Sequence, residues 1–293
     1  MSSTPSNPQF SAISNINFTG GFPTSKDLAP SIIFLILYVL AAPVLVYRLI
    51  KKESRTLLLF RPSIFLVSRI GMLVIRAYMS KNKYSQGLLI AELVLVSVGF
   101  MFLIEPAVGL WKLQVDSDMA KEDRPIWVRR LAMILKLAIL AALCTALAGS
   151  GMISDALKNT DKLNTVKTLR EASNVLSVAV VVVLVISTVL THTRFHLDTR
   201  GTIFILGISA NLLIVAVYRV VQTFATDPSA AARSLAAFWI LQMVFEFFAF
   251  VMLIAIAIPV WFPGQNHREK RLASLNNNDI EIGQTRDMSN IRK

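Results

Sequence analysis

Apolar and polar positions fall into long alternating blocks along this chain. Seven apolar stretches lie at 30–50, 57–79, 87–110, 129–151, 173–193, 202–223 and 235–261, separated by polar segments. Each is long enough to cross a hydrocarbon core of ~30 Å as a helix. In lipid a helix satisfies its backbone N–H and C=O groups within one segment, so blocks of this length predict helices, not strands. The expected fold is all-α: a polytopic, seven-transmembrane helix bundle over 30–261. Polar tails at 1–29 and 262–293 are expected to be disordered.

Composition agrees with this reading. The 293 residues are 54% hydrophobic and 16% charged, against roughly 25% charged in a soluble domain. The net charge of +12 would suggest nucleic acid on a soluble protein. Here the cations gather in loops and the tail, and no basic patch is interleaved with base-stacking aromatics. No nucleic-acid partner is expected, and the first partner is the lipid bilayer.

The cations also predict an orientation. The loops at 48–55, 112–130 and 194–200 and the tail from Arg268 carry 17 of the 30 Lys and Arg. The alternate set carries 8, including all those from Lys158 to Arg170, and Arg61, Arg69, Arg76, Lys136 and Arg219 lie within spans. The richer set should face the cytoplasm, which predicts N-out/C-in. The sequon at Asn17 (Asn17–Thr19) agrees, because it is a glycosylation site only on the lumenal side. Trp111, Trp127, Trp239 and Trp261 fall at predicted span edges and read as an aromatic belt. The N-terminal segment lacks the layout of a cleaved signal peptide, and the first span is expected to direct insertion. The default location is the plasma membrane, with an endomembrane as the alternative, since no retention signal stands at the C-terminus.

Charges inside spans carry the candidate chemistry. A charge at the bilayer centre costs ~2.5–3.5 kcal/mol or more, so it should meet a partner or water. Arg69 lies mid-way along the second span and Glu246 mid-way along the seventh, with Gln242 one turn away. Depth therefore pairs Arg69 with Glu246. Arg76, Glu92 and Arg219 all fall near the outer ends and are expected to form an outer cluster. Arg61 and Glu105 fall near the inner ends and form a candidate inner pair, while Lys136 is expected to snorkel. Asn211 joins Arg69 and Glu246 as a candidate lining of a polar path. Ala138, Ala142 and Ala146 make a small-residue stripe, expected to pack within the bundle.

Other chemistry is thin. Cys144 is the single cysteine, so neither an intrachain disulfide nor a thiolate metal cluster is available. His192 and His196 have a spacing that can hold zinc on a helix, but no third ligand stands nearby. No phosphate loop, nucleophile elbow or carboxylate dyad is present, and no enzymatic activity, metal or cofactor is expected. Ser274 follows a basic run in the tail and is a candidate phosphorylation site.

Several of these positions together carry a resemblance. "GGFPT" ahead of the first span, Arg69 and Arg76 in the second, Arg219 late in the sixth, and Glu246 followed by "IAIPVWFPG" resemble a fungal family of uncharacterised seven-helix membrane proteins, a domain of unknown function, over about Gly20 to Gly264. More distantly, "VYRVVQ" with a Glu-bearing last helix is similar to the fungal lipid-translocating exporter-like family. That family usually carries Glu where this chain has Gln222, and a His-Glu pair that is missing here. The resemblance implies a fungal source and a membrane location and brings no activity. Three readings stay open: a receptor-like sensor of a small or amphipathic ligand with a cytoplasmic signalling partner, a lipid or small-molecule transporter, and an accessory scaffold.

Overall fold

The computed structural model describes residues 19–51, 54, 56–83, 85–119, 122–156, 160–225 and 230–262. Among them there is no strand, and seven helices are long and apolar enough to cross a membrane. They are α1 (Leu28–Ile50), α2 (Phe60–Met79), α3 (Gln86–Asp118), α4 (Ile126–Gly151), α5 (Thr160–Phe195), α6 (Thr199–Phe224) and α7 (Leu235–Ala255). This is a multi-pass helical membrane protein. Asn17, Ser274 and residues 1–18 and 263–293 lie outside the described residues, whereas 19–29, expected to be disordered, are ordered, with a turn at Ser25–Asp27 leading into α1 at Leu28.

Each helix turns one stripe inward. On α1 the buried positions are Ser31, Phe34, Tyr38, Ala41 and Leu45, and on α4 they include Val128, Ala132, Leu135, Ile139, Ala142 and Ala146. Steps of three and four residues keep such positions on one face of a helix. The opposite faces expose large apolar side chains such as Ile33, Leu40, Ile134 and Leu137, which is expected where lipid and not water is the solvent. α3 is the central helix and touches α2, α4, α5, α6 and α7, while the others pack in chain order around it. The small-residue stripe of α4 lies against α5, where Ser173 Oγ donates to Ala142 O at 2.8 Å.

The helix ends depart from the apolar pattern for local reasons. α3 runs on to Asp118 and α5 starts at Thr160, well beyond the predicted 110 and 173. In both extensions polar residues cover the outer side while Trp111, Gln114 and Val166 face inward. α7 ends at Ala255, not at 261, and a single helical turn, Ile258–Trp261, follows. Pro259 lacks the N–H that would bond the Ala255 carbonyl. Arg48 supplies the donor instead, with Nη2 2.7 Å from Ala255 O. Within α7, Phe238–Val244 is wound as a π-helix, and this brings Phe238, Trp239, Gln242, Met243 and Glu246 to the buried side.

The tryptophan belt is corrected in half its members. Trp127 and Trp261 are exposed, but Trp111 and Trp239 are buried. Trp111 Nε1 donates to Thr191 Oγ1 at 3.1 Å, a partner that a buried indole needs.

Candidate functional site

α2 carries Arg69 and Arg76 seven residues apart, hence on one inward face. Both are fully buried. Arg76 lies at the end of the bundle where the segment Thr19–Asp27 packs, here called the near end. Its Nε donates to Asp27 Oδ1 at 2.8 Å, its Nη2 donates to the Thr19 carbonyl at 3.0 Å, and its Nη1 is paired with Glu92 on α3. The guanidinium also lies over the rings of Phe238 and Trp239, at 4.9 and 5.6 Å from their centroids. Trp239 Nε1 donates to the same Asp27 oxygen at 3.3 Å, and Thr24 N donates to the other at 2.9 Å. A planar fork with five donors suits a site that must satisfy two carboxylates and a carbonyl at once.

The segment ahead of α1 is shaped to reach this cation. Gly20 has φ +77°, and a Cβ there would stand 2.9 Å from Leu235 Cα. Only glycine allows both that backbone and that approach. Asp27 is fully buried, and counting charges within spans misses it because it precedes the first apolar block. Its signal was the Thr24–Asp27 spacing of a capping box, which the structure forms.

Arg69 sits at mid-bundle, with Nη2 2.6 Å from Glu246 Oε2 on α7. Nη1 and Nη2 each lie 3.3 Å from a carbonyl of α3, those of Leu95 and Val96. Both partners of the pair are fully buried. Phe65 lies under the guanidinium at 5.1 Å, and Tyr38 and Phe250 pack against Phe65. The pair is therefore dry and boxed by aromatic rings. Gln242 is buried beside Glu246 on the π-helical turn. Gly99 makes room for the arginine: a Cβ there would lie 2.9 Å from Ser68 Oγ and 3.2 Å from Arg69 Cζ. Gly99→Val is expected to cost about 1–3 kcal/mol through overpacking against a side chain that Glu246 holds in place. Thermal unfolding in detergent measures it, and an undiminished melting temperature would refute the close-approach account.

Arg219 does not join the Arg76–Glu92 pair, which corrects the expected outer cluster. Arg219 projects from α6 and is 6% exposed, with its Cζ 5.0 Å from the centre of the Phe100 ring. Its electrostatic neighbours are Glu246, Arg69 and Tyr218. Its Nη1 is buried with no hydrogen-bond partner among the described residues. It lines a cleft between α3, α4, α5 and α6 together with Ser97, Thr145, Arg170, Ser173 and Asn174. The apolar pattern makes Arg170 a loop charge, but the early start of α5 places it more than two turns inside the helix.

The remaining candidates separate. Arg61 and Glu105 form an ion pair whose Arg61 side chain is 40% exposed, a geometry worth little in stability. Lys136 is exposed. Asn211 Nδ2 donates to Gly207 O at 2.8 Å on its own helix, so its amide engages its own backbone. His192 and His196 do not share a helix face, because α5 ends at Phe195 and His196 has φ +49°. His192 Nδ1 instead lies 3.2 Å from Thr202 Oγ1.

The charges thus divide unevenly. Arg76 faces two carboxylates, whereas Arg69 and Arg219 share Glu246, with Arg170 lining the cleft beside Arg219. Comparison with known families finds one described as a domain of unknown function (DUF7702), matching residues 29–260. No curated protein and no solved structure matches the chain.

Proposed function

The chain belongs to the DUF7702 family, whose description assigns no activity, and from its own charges we propose that it is a receptor-like membrane sensor of a small or amphipathic ligand. The observation that carries this reading is the cleft walled by Arg219 and Arg170, with no carboxylate in its lining. A buried guanidinium nitrogen without an acceptor costs ~1–3 kcal/mol or more, and Arg219 Nη1 is such a nitrogen on a cleft wall, where a ligand can supply the acceptor. In the N-out/C-in orientation proposed from the cation count, the cleft belongs to the outer half and the tail meets a cytoplasmic signalling partner. The plasma membrane is the proposed location.

The dry Arg69–Glu246 pair supports a sensor over a transporter. A polar path through the bundle needs water or substrate beside its mid-membrane charges, and these two are fully enclosed by protein. Reconstitution tests the choice. Vesicles holding the purified protein are expected to move fluorescent phospholipid no faster than empty vesicles. Faster movement would replace the sensor reading with the transporter one.

A further inference from the structure

We infer that the cleft between α3, α4, α5 and α6 is an oxyanion site, which binds the phosphate or carboxylate head group of an amphipathic ligand. The inference rests on the sensor reading for its purpose and names the chemistry of its ligand.

Donor capacity on the cleft wall is the starting point. The hydroxyls of Thr145, Ser150 and Ser173 all donate to backbone carbonyls, at 3.0, 2.8 and 2.8 Å. Asn174 Nδ2 donates to Thr223 Oγ1 at 2.8 Å. The three hydroxyl protons are committed to the protein, and Asn174 has spent one of its two N–H groups. Arg219 Nη1 is the charged donor on this wall that has no acceptor among the described residues. Arg170 is the second cation on the wall, and no carboxylate lines the cleft.

Charge points the same way. Glu246 is the carboxylate beside Arg219, and it is already engaged by Arg69 at 2.6 Å. Arg69 and Arg219 thus draw on one carboxylate, which leaves positive charge in excess beside the cleft in a medium of low dielectric. An anion in the cleft offsets it, and guanidinium is the side chain suited to planar, two-point contact with phosphate or carboxylate.

Size fixes which part of a ligand enters. Empty space in and around the cleft amounts to about 320 Å³, part of it open to the outside. One charged oxygen reaches the bottom, and the rest of the head group occupies the mouth. Leu147 on α4 and Val175 on α5, each within two residues of cleft-lining positions, are exposed and give an acyl tail an apolar surface to follow.

The test uses full-length protein in nanodiscs of phosphatidylcholine. One arm adds phosphatidic acid to the nanodisc, and the other adds inorganic phosphate to the buffer. Binding is read by ligand-dependent thermal shift and by titration. Wild type is expected to be stabilised by phosphatidic acid, and Arg219→Gln to bind about tenfold more weakly, the effect of one charge-assisted hydrogen bond. Ser97→Leu, which fills the cleft and removes no charge, is expected to abolish the shift. It decides the matter if the Arg219 variant fails to fold. A response to phosphatidic acid alone supports a lipid head group, and a response to both supports a free oxyanion site. Water as the sole occupant predicts no response in either arm, and that result, or equal binding by Ser97→Leu, overturns the proposal. Arg219-dependent binding accompanied by lipid flux supports the site and overturns the sensor reading. Absence of both binding and flux overturns the site and leaves the sensor reading standing.

Discussion

Arg76→Met is expected to destabilise the protein by about 3–5 kcal/mol, because it strands buried carboxylates without their cation. Asp27 and Glu92 are both fully buried, and Glu92 Oε2 already has no hydrogen-bond partner among the described residues. Removing the guanidinium takes away the Thr19 contact as well, so the segment ahead of α1 loses its anchor on α2. The measurement is thermal unfolding of detergent-solubilised protein, followed by tryptophan fluorescence, since Trp239 shares the Asp27 oxygen. Neutralising the stranded acids should restore much of the loss. Arg76→Met with Asp27→Asn and Glu92→Gln is expected to melt between the single variant and wild type. If Arg76→Met alone melts like wild type, the cluster is not the strut described above.

The second large effect belongs to mid-bundle. Arg69→Ala and Glu246→Ala each break a dry pair, and each is expected to cost about 3–5 kcal/mol. The two losses should not add. Once Glu246 is gone, removing Arg69 relieves an uncompensated charge, so the double variant is expected to be less damaged than the sum of the two losses, with a coupling of about 0.5–3 kcal/mol. Simple additivity would show that the short Arg69–Glu246 contact carries no energy. Arg219 adds an asymmetry: it is near Glu246, so Glu246→Ala strands two guanidiniums and Arg69→Ala strands none. Glu246→Ala is therefore expected to be the more damaging of the two.

How far the sequence reaches can be argued from these same residues. Depth along the membrane normal was legible, because helices of known direction place Arg69 and Glu246 at one level and Arg61 and Glu105 at another. The angle around each helix was not. Arg76 and Glu92 meet across a facing pair of helices, α2 and α3, while Arg219 reaches Phe100, about two turns along α3 from Glu92, and so leaves both the face and the level its sequence position suggests. The level of an acid outside the apolar blocks was equally hidden, and Asp27 was missed for that reason. Helix ends blurred where an amphipathic extension continues an apolar block. Val166 packs with Leu89, Leu93 and Ile153 in a small cluster of its own, but the polar residues around it hide the helix in a window average. By contrast α2 matches its apolar block once the short turn Leu57–Leu59 is included.

The partners of α2 also set a schedule for making the protein. Arg69 and Arg76 leave the ribosome before Glu92, and Arg69 must wait for nearly the whole chain before Glu246 is synthesised. Each unpaired arginine raises the cost of moving the second helix into lipid. α2 therefore settles late: Asp27 and Glu92 can receive Arg76 once α3 has emerged, but Arg69 is compensated only when α7 arrives. A chain that stops short of α7 leaves Arg69 without Glu246, so the last span is what completes the charge balance at mid-bundle.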